Sequence, residues 1–278
     1  MSDQNSGSSE YELQQIREIV VWKNEPPSVA SQALGFVMRP LNWVAEQVIP
    51  ERAIKGALEG ASWLADQTID LSTVLAEAEV GDTEELRGQP LCKLDALADG
   101  VHNWAIGYAV AEGGLTGAGG LFTIAIDVPF IVTLAVRTIR KIGMCYGYVD
   151  ASDFEQNFAM SVLSAAGANS IEEKTAALLT LRTIEVVLLR TTWKKMAEKA
   201  TEQQFSREAM ILSLKVLAKQ LGLNLTKRKA LALIPLVGAP IGAAVNGSYV
   251  KDIGWAARRA YQERWLKDHG RWIEQEAE

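Results

Sequence analysis

The sequence predicts an all-α protein: a single compact multi-helix domain with two glycine-rich apolar helical hairpins at its centre. Three observations carry that expectation. Period-2 alternation bounded by turn residues, the pattern of a half-buried strand, does not recur along the 278 residues. Ala, Leu, Glu and Lys, all good helix formers, are abundant. Helix-start signatures are frequent: Asp82 with Glu85, Ser152 with Glu155 and Ser170 with Glu173 each pair a capping oxygen with an acid three residues on. In such a box the cap accepts a free N–H while the acid reaches back to the cap's own N–H.

Taken in chain order, helices are predicted over residues 10–22, 28–48, 51–79, 83–100 and 102–111. Others follow over 129–148, 152–166, 171–198 and 205–220, and a last pair over 227–233 and 241–269. Pro26-Pro27 separates the first two, because a residue before proline is pushed out of helical geometry. Gly222 reads as a helix terminator and Thr226 as the next cap. Residues 1–9, MSDQNSGSS, are polar and are expected to form a disordered tail. No linker rich in Pro, Gly or Ser divides residues 10–272, which are therefore expected to form a single domain.

With 48% hydrophobic and 22% charged residues, the chain can bury a sizeable core. Its net charge of −6 excludes general nucleic-acid binding, which needs a basic surface. The charge is uneven. Residues 1–99 hold 7 Lys/Arg against 17 Asp/Glu, and residues 227–278 hold 9 against 6. The C-terminal end is thus where an anionic lipid or acidic partner would bind, unless acidic and basic faces simply pack side by side in one domain. Cys92 and Cys145 show no Cys-x-x-Cys spacing and fit a reducing cytoplasm. Residues 1–9 lack the basic start and apolar run of a secretory signal, so a cytoplasmic location is expected.

Two segments stand out. Residues 113–136, GGLTGAGGLFTIAIDVPFIVTLAV, carry one charge, Asp127, and residues 230–250, ALALIPLVGAPIGAAVNGSYV, carry none. Both reach the length of about 20 apolar residues that a bilayer core of about 30 Å requires. Internal breaks argue against a simple span. Gly119-Gly120 and Pro129 interrupt the first segment, and Pro235 and Pro240 the second. Such breaks predict paired half-length helices, either buried in a water-soluble core or re-entrant at the inner membrane. Basic residues on both flanks of the second segment, Lys227, Arg228 and Lys229 before it and Lys251, Arg258 and Arg259 after it, give no consistent orientation. Asp127 would cost about 3 kcal/mol facing lipid on insertion scales. Small residues at four-residue spacing give a helix a flat face for close packing. Tight helix packing is therefore expected at Gly113, Gly117, Gly120, Gly238 and Gly242, with Gly143 and Gly147 repeating the spacing.

Standard catalytic signatures are absent: there is no phosphate loop and no nucleophile elbow. His102 and His269 lie far apart with no cysteine pairs, so neither a zinc site nor a cofactor is expected. The polar groups within or beside the apolar segments are Glu112, Asp127, Arg137 and Asn246. Buried acids could work as an acid–base pair or hold a divalent cation. Equally, Asp127 can cap a helix start near Pro129, Glu112 can pair with Arg137 or Arg228, and Asn246 can bond backbone freed by Pro240. Further on, Trp255, Arg258, Arg259, Gln262, Trp265 and Leu266 fall at helical spacing. Tryptophan beside arginine suits an interfacial helix facing a membrane or partner; half-buried rings on an ordinary amphipathic helix explain the same pattern.

AEGGLTGAGG at 111–120, Asp127-Val128-Pro129, RTIRKIGMCYGY at 137–148 and LTKRKALALIPLVGAPIGAAVNGSYVKDIGWAARRAY at 225–261 together resemble the signature of the EcsC family. YELQQIREIVVWKN at 11–24 is similar to that family's opening helix, so the resemblance covers nearly the whole chain. The stretch at Leu121-Phe122 departs from it in lacking a proline. The resemblance implies a bacterial accessory protein encoded beside an ABC transporter, and it carries no catalytic residue onto this chain. Three readings of function stand at this stage. The first is a non-enzymatic accessory protein at the cytoplasmic membrane face, with lipid or the transporter as partner. The second is a hydrolytic or metal-dependent enzyme using Glu112 and Asp127. The third is a helical module that binds lipid or another apolar ligand.

Overall fold

The computed structural model describes residues 9–27, 70–117, 124–150, 152–168, 170–195 and 238–273. Among these, eight helices and no strand are present. They are α1 (Glu10–Asn24), α2 (Leu71–Ala78), α3 (Thr83–Arg87), α4 (Leu91–Gly117), α5 (Ile124–Cys145), α6 (Asp153–Ala166), α7 (Ile171–Lys195) and α8 (Gly238–Asp268). The helices expected over 28–48, 205–220 and 227–233, and most of 51–79, lie outside the described residues.

Local chemistry explains most helix ends. α1 starts with a full capping box: Ser9 Oγ accepts from the Glu12 N–H and Glu12 accepts from the Ser9 N–H. Asp82 accepts from the N–H groups of Glu84 and Glu85, but Glu85 reaches one residue further back, to Gly81 N. Ser170 accepts from the Glu173 N–H. Ser152 makes no side-chain cap, and Glu155, expected to complete that box, is committed to Arg264 instead. α5 ends in a paired-turn motif. Tyr148 N–H bonds Gly143 C=O and Gly147 N–H bonds Met144 C=O, with Gly147 at φ +82°, where a side chain would strain the backbone. Gly147 therefore terminates a helix rather than flattening one face of it.

Four helices, α3, α4, α5 and α8, differ from the sequence expectation. Gly88, Gln89 and Pro90 separate α3 from α4 within the span 83–100, and Pro90 leads into α4, its carbonyl accepting from the N–H groups of Lys93 and Leu94. α4 then runs unbroken past Gly100 to Gly117. Pro129 does not interrupt α5, and Pro240 does not interrupt α8. Pro240 is the third residue of α8, where an N–H has no intrahelical partner to lose. Pro129 does forfeit a bond inside α5, a cost of about 3 kcal/mol that packing against α4, α6 and α8 outweighs. Pro235 and Gly119-Gly120 lie outside the described residues.

α8 is the hub. It packs most extensively on α4, and also on α5, α6 and α1; α7 lies against α6, and α2 against α4. An ideal Cβ on Gly247 would stand 2.6 Å from Val110, and one on Gly254 would stand 2.0 Å from the His102 ring. Further along, Arg258 meets Asp99 and Asp95. Numbers rise on α8 as they fall on α4, so the two helices run antiparallel with backbones in close approach. Gly143 performs the same service between α5 and α8, since its Cβ would lie 2.5 Å from Tyr261. Tyr261 cannot move aside, because it is buried against Tyr146, Tyr148 and Phe158.

Gly143→Ala and Gly254→Ala are each expected to destabilise the protein by about 1–3 kcal/mol through overpacking. Gly107→Ala, at an exposed site with nothing within 4 Å, is expected to be neutral or to stabilise by up to about 1 kcal/mol. Urea unfolding of the three variants checks both signs.

Candidate functional site

The described interior holds a polar cluster centred on Asp95. Asp95 occupies the apolar stripe of α4 with Leu91, Leu94, Ala98, His102, Ala105 and Ala109, and is 1% exposed. Its carboxylate accepts from Tyr11 Oη at 2.6 Å, Tyr146 Oη at 2.5 Å and Gln262 Nε2 at 2.8 Å. Arg258 Nη2 lies 3.5 Å away, while its Nη1 donates to Asp99 at 2.6 Å. Arg259 donates to Gln15 at 2.7 Å and Gln262 at 2.9 Å, and pairs with Glu18. The cluster joins α1, α4, α8 and the turn after α5.

Burial and partners tune these groups. Burial, then the bond and charge of Asp95, push the Tyr11 phenol up; burial and the Asp95 charge push Tyr146 well above an ordinary phenol. Both therefore act as fixed donors. Burial opposes the charge on Arg258, but Asp95 and its neighbours more than offset that and raise its affinity for its proton. Burial raises Asp99, with Arg258 opposing. His102 stands edge-on to Trp255 and donates from Nε2 to the Lys251 carbonyl at 3.1 Å. Burial lowers its proton affinity, the carbonyl opposes, and the charges of Arg258 and Lys251 lower it further.

Two further clusters hang on α8. Arg264 forks onto Glu155 at 2.8 and 2.5 Å and stacks over Tyr148, 3.9 Å from the ring centre. Lys267 bridges Glu185 at 2.6 Å and Glu263 at 2.7 Å, and Glu263 also receives Lys23. Buried Lys174 donates to the Glu25 carbonyl at 2.8 Å and to that of Trp22, closing the end of α1. Burial pushes the Cys145 thiol up to about 12, so it is a packed group and a poor nucleophile. Arg258 Nε and Glu185 Oε1 are buried without a hydrogen-bond partner among the described residues.

The residues singled out from the sequence fall differently. Trp255, Arg258, Arg259 and Trp265, expected at a membrane or partner surface, belong to the interior side of α8. Trp265 is 1% exposed and donates from Nε1 to the Arg87 carbonyl at 2.9 Å; Arg258 and Arg259 are ion-paired and buried; Trp255 is half-buried beneath both guanidinium groups. The physical reason is that α8 is enclosed by neighbours on several sides, so Trp–Arg spacing here marks buried charge rather than an interfacial face. Asn246 is buried on α8 and Arg137 half-buried on α5. Glu112 and Asp127 are placed by backbone in α4 and α5, as are Gly113, Gly117, Gly238 and Gly242 in α4 and α8; their side-chain surroundings, and Gly120 altogether, lie outside the described residues. The packing glycines that the structure does display, Gly247 and Gly254, went unremarked in the sequence, although seven-residue spacing puts them on one helical face. Asp95 was missed too, though an acid in the stripe Leu91-Leu94-Ala98 is a readable signal of a buried partner.

No group of three or more His, Cys, Asp or Glu side chains among the described residues could hold a metal ion. What the arrangement does is lock helices: an all-α bundle threaded by one charge-bearing helix, its ions neutralised from each neighbour in turn. The chain belongs to the EcsC protein family, whose model matches residues 13–266. It is similar to an uncharacterized protein, YdbA, of Bacillus subtilis (strain 168), at 27% identity over 197 residues. That match covers 70% of this chain and 66% of the relative, so the chain spans somewhat under two thirds of it. No solved structure matches.

Asp95→Ala is expected to cost about 3–5 kcal/mol, because it leaves Arg258 partly uncompensated and strips Tyr146 and Gln262 of a buried acceptor. Asp95→Asn is expected to cost less, and chemical denaturation gives both values. His102 adds a pH dependence. The folded chain binds fewer protons there than the unfolded chain just below pH ~6.5, so stability falls as pH drops through that window. His102→Gln is expected to flatten that part of the stability–pH curve, measured by melts at closely spaced pH values.

Proposed function

We propose that the chain is a non-catalytic accessory protein working at the cytoplasmic face of the membrane, beside an ABC transporter. The single observation that carries this reading is the internal commitment of the described polar groups. Asp95, Arg258, Arg259, Glu155, Arg264, Glu185 and Lys267 are spent on holding helices together. Family membership supports the transporter half of the reading through the genetic setting that the family's name implies. Among the described residues no helix is long and apolar enough to cross a membrane, which favours peripheral attachment over spanning.

Fractionation tests it. The chain is expected to sediment with membranes from expressing cells and to be released by a carbonate wash. Complete recovery in the soluble fraction without the wash would overturn the membrane reading, and retention after the wash would overturn the peripheral one.

A further inference from the structure

Residues 100–111 of α4, GVHNWAIGYAVA, contain no Asp, Glu, Lys or Arg. One side of this stretch faces α8 through His102, Ala105 and Ala109. The other side is open. Trp104 is 57% exposed and Tyr108 47%, and their rings stack with centroids 5.2 Å apart. Tyr108 also meets Phe130 of α5 at 6.0 Å, so two helices contribute to one aromatic surface. A soluble helix ordinarily places charge on its outward face. Here three turns of outward face carry aromatic rings and small residues instead, which marks a contact surface.

The surroundings say what the contact is. Phe130, Thr133, Arg137 and Lys141 recur along one partly exposed stripe of α5, which puts the two cations about 10 and 16 Å along the helix from Phe130. Aromatic rings with a polar edge, flanked by cations of long reach, complement an anionic bilayer surface: the rings enter the acyl boundary while the cations stand level with phosphates. We infer that Trp104, Tyr108 and Phe130 form a docking face for an anionic lipid bilayer. This rests on the membrane reading above and specifies the surface through which it operates.

Flotation of the full chain with vesicles of phosphatidylcholine, with and without phosphatidylglycerol, tests it. The wild type is expected to float, and more with phosphatidylglycerol present. The double variant Trp104→Ser, Tyr108→Ser is expected to keep its helical circular dichroism and lose about tenfold in partitioning, a loss that forfeiting roughly 60 Å² of apolar contact suffices to give. Lys141→Gln is expected to reduce the preference for phosphatidylglycerol. Brominated acyl chains provide a reading independent of folding in the double variant: they are expected to quench the fluorescence that wild type has over Trp104→Phe. Equal flotation of wild type and double variant, or no such quenching, would overturn the assigned face while leaving membrane attachment standing. Failure of the wild type to float on either vesicle would overturn both. Loss of self-association in the double variant, with flotation absent throughout, would assign the face to a second copy of the chain instead.

Discussion

Everything in the described bundle is arranged around one constraint: α8 carries five charged side chains into the packed interior, Arg258, Arg259 and Glu263 buried and Arg264 and Lys267 half-buried. A charge taken out of water is costly by several kcal/mol unless it is paired and bonded. Each neighbour therefore supplies a counter-charge at the level where α8 needs one. α4 offers Asp95 and Asp99, α1 offers Glu18 and Lys23, α6 offers Glu155, and α7 offers Glu185. Such pairs add little net stability over a hydrophobic core, but any arrangement that separates them is strongly penalised. They consequently select one packing among the several that an apolar helix could adopt.

Close approach makes the pairing geometrically possible. Gly247 and Gly254 on α8 let the backbones of α4 and α8 approach closely. Gly143 does so for α5, by leaving room for Tyr261. Large rings then fill what the small residues open: Tyr261 among Tyr146, Tyr148 and Phe158, and Trp265 under His269. The guanidinium of Arg264 lies on Tyr148, so the same ring that packs the core also shields a charge.

The all-helical class and the family were legible because helix periodicity and a run of specific motifs are local signals. So was the existence of α1, α6 and α7 at nearly their observed bounds. Proline effects were less legible. Pro129 reads as a break in any isolated sequence, and only tertiary packing keeps α5 whole across it. The role of α8 was legible in residue content but not in direction. Trp255, Arg258 and Trp265 do lie at helical spacing, yet whether such a face looks outward depends on distant acids such as Glu185, 82 residues from Lys267, and Glu18, 241 residues from Arg259. Long-range complementarity of that kind leaves no periodic trace. The exposed Trp104–Tyr108 pair was overlooked for the opposite reason: two aromatics at i, i+4 usually denote core, and only the fold reveals which side of α4 is covered.

One feature bears on how the molecule is made. The ion pairs described for α1 run to the other end of the chain: Lys23 on Glu263, Glu12 on Arg271, and Glu18 on Arg259, which also holds Gln15. During synthesis at about 5–20 residues per second, the first helix must wait roughly 12–48 s for those partners to be translated. α1 is amphipathic over only 15 residues, too short to persist alone in water. The nascent chain therefore carries an unshielded apolar strip until its closing helix leaves the ribosome, and it is in that interval that a holding chaperone would find its binding site.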